Sequence, residues 1–107
     1  MSKVITPTVG RKVWYRPSFF DMNGLGAMQT ACDQTDTQKR QPLDATIIAV
    51  WGDRCVNLLV TDSCGKQFPM TSRTLLQPGD AVPTNHEGEP TGGYCEWMPY
   101  QQTQAAA

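Results

Sequence analysis

Residues 43–61 constrain the chain more than any other stretch. A run through Leu43 and Thr46-Ile47-Ile48-Ala49-Val50-Trp51 meets the turn pair Gly52-Asp53 and returns as Cys55-Val56-Asn57-Leu58-Leu59-Val60-Thr61. Both arms are rich in β-branched residues, and in the returning arm Val56, Leu58 and Val60 fall on one face while Asn57, Leu59 and Thr61 fall on the other. That period of two belongs to a half-buried sheet. The segment predicts a β-hairpin whose Val56, Leu58 and Val60 side chains face the core.

Other segments extend this hairpin. Residues 11–16 read as a strand entered from Gly10 and stopped by Pro17, whose ring removes a ladder donor. After a second turn at Asp62-Ser63-Cys64-Gly65, residues 66–75 form a weaker strand interrupted by Pro69, which places it at an edge or a bend. Residues 93–98 form a last short strand that ends at Pro99 and leaves 101–107 as a polar tail. Tyr94 and Trp97, three apart, are expected on opposite sides of it. About five short strands with tight hairpins predict an all-β fold, a small, strongly bent antiparallel sheet that closes into an SH3-like β-barrel.

Two stretches lie outside this scaffold. The insertion at 18–41, after the first strand, carries Phe19, Phe20, Met22, Leu25 and Met28 in its first half and polar residues in its second. A loop of that length in a small domain has its own task, and the five apolar side chains are expected to bury over the barrel mouth or against another subunit as an oligomer contact. The Pro/Gly-rich loop 77–92 has no periodicity. The whole chain, 1–107, reads as one domain with a modest core.

Nine Lys+Arg against ten Asp+Glu give a net charge of −1 and a pI near 5.6. This excludes a protein that coats extended duplex nucleic acid, which needs a basic stripe to displace counterions. No apolar run has the length of a signal peptide or membrane span, so the expected place is the cytoplasm of the cell that makes it, with no membrane partner. Cysteines at 32, 55, 64 and 95 form no C-x-x-C pair, so they are expected to be reduced thiols and no metal site is expected.

Catalytic patterns are thin. His86-Glu87 with Glu89 sets a possible base beside carboxylates, but in a Gly/Pro loop with no rigid element to aim it. Cys64 precedes Gly65 in a turn and reads as a turn residue. Asn23-Gly24-Leu25-Gly26 lacks the lysine of a phosphate-cradling loop. No catalytic set and no cofactor are expected. The aromatic residues are more suggestive. Trp14 and Tyr15 near one end of the chain, with Tyr94, Trp97 and Tyr100 near the other, meet if the terminal strands are neighbours, and Arg11, Arg16 and Arg73 are available to stack on them or bind an anion. These eight residues are the candidate ligand-binding set, against the simpler possibility that two or three of the rings fill the core.

Pro7-Thr8-Val9-Gly10-Arg11 followed by Val13-Trp14-Tyr15, then Val56-Asn57-Leu58 with Asp62 and Gly65, and finally residues 92–101, GGYCEWMPYQ, with Gln104-Ala105-Ala106, span most of the chain. In these motifs the chain resembles a family of small tailed-bacteriophage and prophage accessory proteins. The resemblance implies a phage source and brings no catalytic residues. The lengths of 18–41 and 77–92 depart from the usual pattern, which makes either a candidate contact surface. The resulting expectation is a non-enzymatic accessory protein in the host bacterial cytoplasm. It would be a homo-oligomer that binds and neutralises a host component, either a nucleotide-type defence signal or a host protein. The alternative is a minor virion protein, decorating the capsid or associated with the tail. A small hydrolase built on His86, Glu87 and Glu89 ranks last.

Overall fold

The computed structural model describes residues 4–23, 26–29, 41–88 and 91–106. Five strands, β1 (Lys12–Arg16), β2 (Leu43–Gly52), β3 (Cys55–Thr61), β4 (Gln67–Leu76) and β5 (Tyr94–Glu96), close into a barrel and are followed by a helix, α1 (Pro99–Ala106). The expected closed barrel of five strands is present, and its sheet is mixed. Antiparallel pairs join β1 to β2, β2 to β3, β3 to β4 and β1 to β5, whereas β4 and β5 run parallel. Parity requires this: strands that alternate in direction around a closed ring cannot all be antiparallel when their number is odd. A parallel pair needs a crossover in place of a hairpin, and the long segment between Leu76 and Tyr94 is that crossover.

The inward face follows the predicted period. Val56, Leu58 and Val60 of β3 are fully buried, as are Val13 and Tyr15 of β1, Ala45 and Ile47 of β2, Leu75 of β4 and Cys95 of β5. Small Ala45 lies opposite both Val13 and Val60, so the barrel wall closes tightly there. Burying each larger aliphatic side chain contributes about 1.5–3 kcal/mol, and this inward column supplies most of the drive for closure.

The turn between β2 and β3 falls at Asp53-Arg54, one residue beyond the expected pair, because Gly52 still faces Cys55 across the ladder. In β4 the bend is at Ser72 and not at Pro69. Pro69 stays in the ladder opposite Leu59, while Thr71 and Ser72 together face one position of β3, a bulge with Ser72 at φ 51. Asn57 Oδ1 holds this bulge by accepting Ser72 N–H at 2.8 Å.

Residues 99–106, expected as a polar tail apart from Pro99 and Tyr100, form a helix with local signals of its own. Pro99 opens its first turn, where a missing N–H costs nothing. Gln101 Oε1 reaches back to accept Met98 N–H at 2.7 Å, half of a capping box. The same amide donates to the Lys12 carbonyl at 3.0 Å, which fixes the helix on the start of β1.

Of the insertion, residues 18–23 and 26–29 are described. Ser18 and Asp21 cap one another, Ser18 N–H donating to Asp21 Oδ2 at 2.9 Å and Asp21 N–H to Ser18 Oγ at 3.2 Å. Further on, Met28 is buried in the core, which takes it out of the expected oligomer contact, and Met22 is partly buried against that core. Leu25 and most of the polar second half lie outside the described residues.

Candidate binding surface

The barrel brings the chain ends together and divides the candidate ligand set between core and surface. Tyr15 and Trp97 are fully buried and Tyr94 nearly so. Tyr15 and Trp97 belong to the core cluster, which is the simpler of the two possibilities, Tyr94 is buried outside that cluster, and none is open to a ligand at the surface. Tyr94 lies across the ladder from Arg16 and Thr74 on the outward face of the sheet, whereas Trp97 joins the core cluster, so the two rings take opposite sides as expected. Trp14 points outward and is half-buried, and Tyr100 is exposed on α1.

The arginines are likewise dispersed. Arg11 lies over the Trp97 ring at 4.9 Å and covers it from solvent. Arg16 stands over Trp14 at 5.6 Å and donates from Nε to Glu96 at 2.8 Å. Together they form an outer strip on β1 and β5 that satisfies itself. Arg73 is on β4 opposite inward-facing Val56, partly buried, with its Nε sealed from solvent.

Tyr15 donates its hydroxyl to Asp21 Oδ2 at 2.5 Å. Burial first, and then the Asp21 carboxylate, push its phenol well above the usual tyrosine range. Tyr15 is therefore a structural donor that fastens the Ser18–Asp21 turn to the barrel. That turn carries Phe19 and Phe20 outward, 68% and 85% exposed, with ring centroids 5.8 Å apart and planes at 80°. Of the apolar residues expected to bury in the insertion, these two stand in solvent.

A second exposed apolar group was only partly legible. Ile48, Val50 and Trp51 lie at the far end of β2, beyond its pairing with β1, with Trp51 67% exposed. Two register shifts in this half of β2 turn its side chains off the inward face. Trp51 Nε1 donates to Asn57 Oδ1 at 2.9 Å, which holds the indole in one orientation. Its place beside the hairpin turn is the signal that marks it as exposed.

A shallow cleft of about 210 Å³ is lined by Gln41, Pro42, Leu43, Asp44, Thr61, Asp62 and Ser63. Its two carboxylates make it a poor receptor for an anionic nucleotide. Both are also engaged: Asp44 pairs with Lys12 at 3.0 Å, and Asp62 accepts the amides of Gln29, Cys64 and Lys66 at 2.9–3.1 Å. Asp62 thereby ties the far end of the insertion to the β3–β4 turn, assisted by Ser63 Oγ donating to the Gln29 carbonyl at 2.8 Å.

His86 and Glu87 are exposed in the turn at 85–88, and Glu89 lies outside the described residues. Cys64 is exposed, Cys55 partly buried and Cys95 buried, all three as free thiols. Burial pushes the Cys95 thiol up to about 12. Among the described residues no three His, Cys, Asp or Glu side chains gather as a metal set, and no helix is long and apolar enough to cross a membrane. Compared with family models, curated proteins and solved structures, the chain finds no match.

Proposed function

We propose that this chain is a non-enzymatic phage accessory protein that acts in the host bacterial cytoplasm by binding and neutralising a host protein. The observation that carries this reading is the Phe19-Phe20 pair, two large apolar rings held in water on a turn capped by Ser18 and Asp21 and anchored by Tyr15. Exposed aromatic rings on a fixed backbone are the usual anchors of protein interfaces, since they bury much area at little entropic cost. A host protein is favoured over a nucleotide-type signal because the rings that would sandwich a base, Tyr15, Tyr94 and Trp97, are buried. The phage source rests on the sequence resemblance, and self-association through Phe19 and Phe20 belongs to the same proposal.

The test is affinity purification from infected bacteria, comparing the native chain with Phe19→Ser/Phe20→Ser, with native mass spectrometry of the recovered complexes. One host protein recovered in a fixed ratio by the native chain and lost with the variant supports the reading. Recovery of both chains with virion particles, in constant copy number, overturns it in favour of the minor virion role.

A further inference from the structure

Arg73 is the one described side chain with a buried polar atom that lacks a hydrogen-bond partner, its Nε. Its position has a structural cause. Across the β3–β4 ladder Val60 faces Phe68, Leu58 faces Met70 and Val56 faces Arg73, and cross-strand partners share one side of the sheet. Strict alternation from Met70 would turn Ser72 inward. The bulge at Thr71-Ser72, with Ser72 in the left-handed region and its amide held by Asn57, passes the inward position to Arg73. Arg73, partly buried, therefore takes an inward position beside apolar residues and buries its Nε there.

The other described arginines differ. Arg16 meets Glu96, Arg54 meets Asp80, and Arg11 lies on the Trp97 ring. The charge of Arg73 favours ionisation of the Tyr15 hydroxyl, and that hydroxyl is bonded to Asp21. Asp21 Oδ2 is already taken by Tyr15 and by the Ser18 amide. A buried guanidinium N–H with no acceptor is costly, and the acceptors that suit it best are carboxylate and phosphate oxygens.

We infer that Arg73 receives a compact oxyanion, a carboxylate or a phosphate, at the end of the barrel beside Tyr15, with Nε–H as a donor to it. The Asp21 carboxylate, bonded to the Tyr15 hydroxyl, opposes a second negative charge beside that hydroxyl and keeps the affinity modest. Removing that charge while keeping the Asp21 acceptor oxygen should therefore tighten binding, an effect that a site filled by water would not produce.

The experiment follows the Arg73 Nε–H resonance by NMR while inorganic phosphate, and separately acetate, replaces chloride at constant ionic strength. The expected result is a saturable shift with either probe, a Kd lowered several-fold in Asp21→Asn, and loss of the resonance in Arg73→Met with the rest of the spectrum retained. Response to phosphate alone, or to acetate alone, supports the site and names its ligand. Thermal melts give a second readout: phosphate should raise the Tm of the native chain and leave that of Arg73→Met unmoved. An Nε–H that stays unshifted in both the native chain and Asp21→Asn, or that drifts without saturation as for an adventitious ion only, overturns the inference.

Discussion

The indole Nε1 of Trp97 donates to the side-chain carbonyl of Gln77 at 3.2 Å, and both residues are sealed from water. The same Gln77 oxygen accepts Ile5 N–H at 2.8 Å, and its amide nitrogen donates to the carbonyls of Ile5 at 2.9 Å and Asp53 at 2.6 Å. One amide thus satisfies its full hydrogen-bonding capacity while joining the N-terminal segment, the β2–β3 turn and the residue after β5. Gln77→Leu leaves four groups without that partner, three of them in buried bonds. Since each such group costs about 1–3 kcal/mol, and relaxation recovers part of it, a loss of about 3 kcal/mol is expected by urea denaturation.

Trp97 fills the core under Arg11. Trp97→Ala is expected to cost about 3–5 kcal/mol, as large aromatic truncations in a core do. Arg11→Ala uncovers the ring and should cost about 1 kcal/mol or less. Thermal and urea melts of both variants check this order, and equal losses would contradict it.

Gly92 has φ +72, and a Cβ there would lie 2.3 Å from the Pro17 carbonyl oxygen, a backbone atom with little room to yield. Gly10, at φ +92, has open space around the same position. Gly10→Ala should therefore cost only the left-handed strain, about 1–2 kcal/mol. Gly92→Ala should cost clearly more and should weaken the β1–β5 closure, read by hydrogen exchange at Gly93, whose amide bonds the Arg16 carbonyl at 2.6 Å.

Burial raises the pKa of Asp62, but the amides of Lys66, Gln29 and Cys64 and the charge of Lys66 outweigh it and hold the carboxyl below its ordinary value. Its stabilising effect is therefore full above the unfolded carboxylate pKa of about 4 and is lost as pH falls through the lower folded value. Asp80, held down by Arg54 and by the Gln77 amide, acts in the same direction. Asp62→Asn should flatten the acid limb of Tm against pH, and should speed amide exchange at Gln29 at neutral pH.

Cys95, with its thiol pushed up to about 12 by burial, is expected to resist iodoacetamide at pH 8, whereas exposed Cys64 should be alkylated. Peptide mass spectrometry after brief labelling of the folded protein reads the two sites separately.

How far the fold could be read depended on the range of the interaction that decides each element. The β2–β3 hairpin was legible because β-branched alternation and turn chemistry are local. The helix at 99–106 also had local signals, Pro99 at its first position and Gln101 two residues on, but the polar composition masked them. The parallel pairing of β4 with β5 follows from closing a ring of five strands, a condition on the whole sheet that no single segment carries.

The candidate site divided along the same line. That Phe19, Phe20, Met22 and Met28 were apolar was plain, but Met28 entered the core, Met22 packed against it and the two phenylalanines stayed outside. Tyr15 and Asp21 decide this by pinning the turn so that Met22 points in and both phenylalanines point out. The sequence by itself determined which segments become strands and which face of β3 turns inward, because steric preference and burial repeat with the period of the backbone. The tertiary structure alone decided which aromatic rings are core, why Gln77 and Asp62 are buried polar ties, and that Arg73 takes an inward position. Each of these depends on atoms far apart in the chain that meet only when the sheet closes.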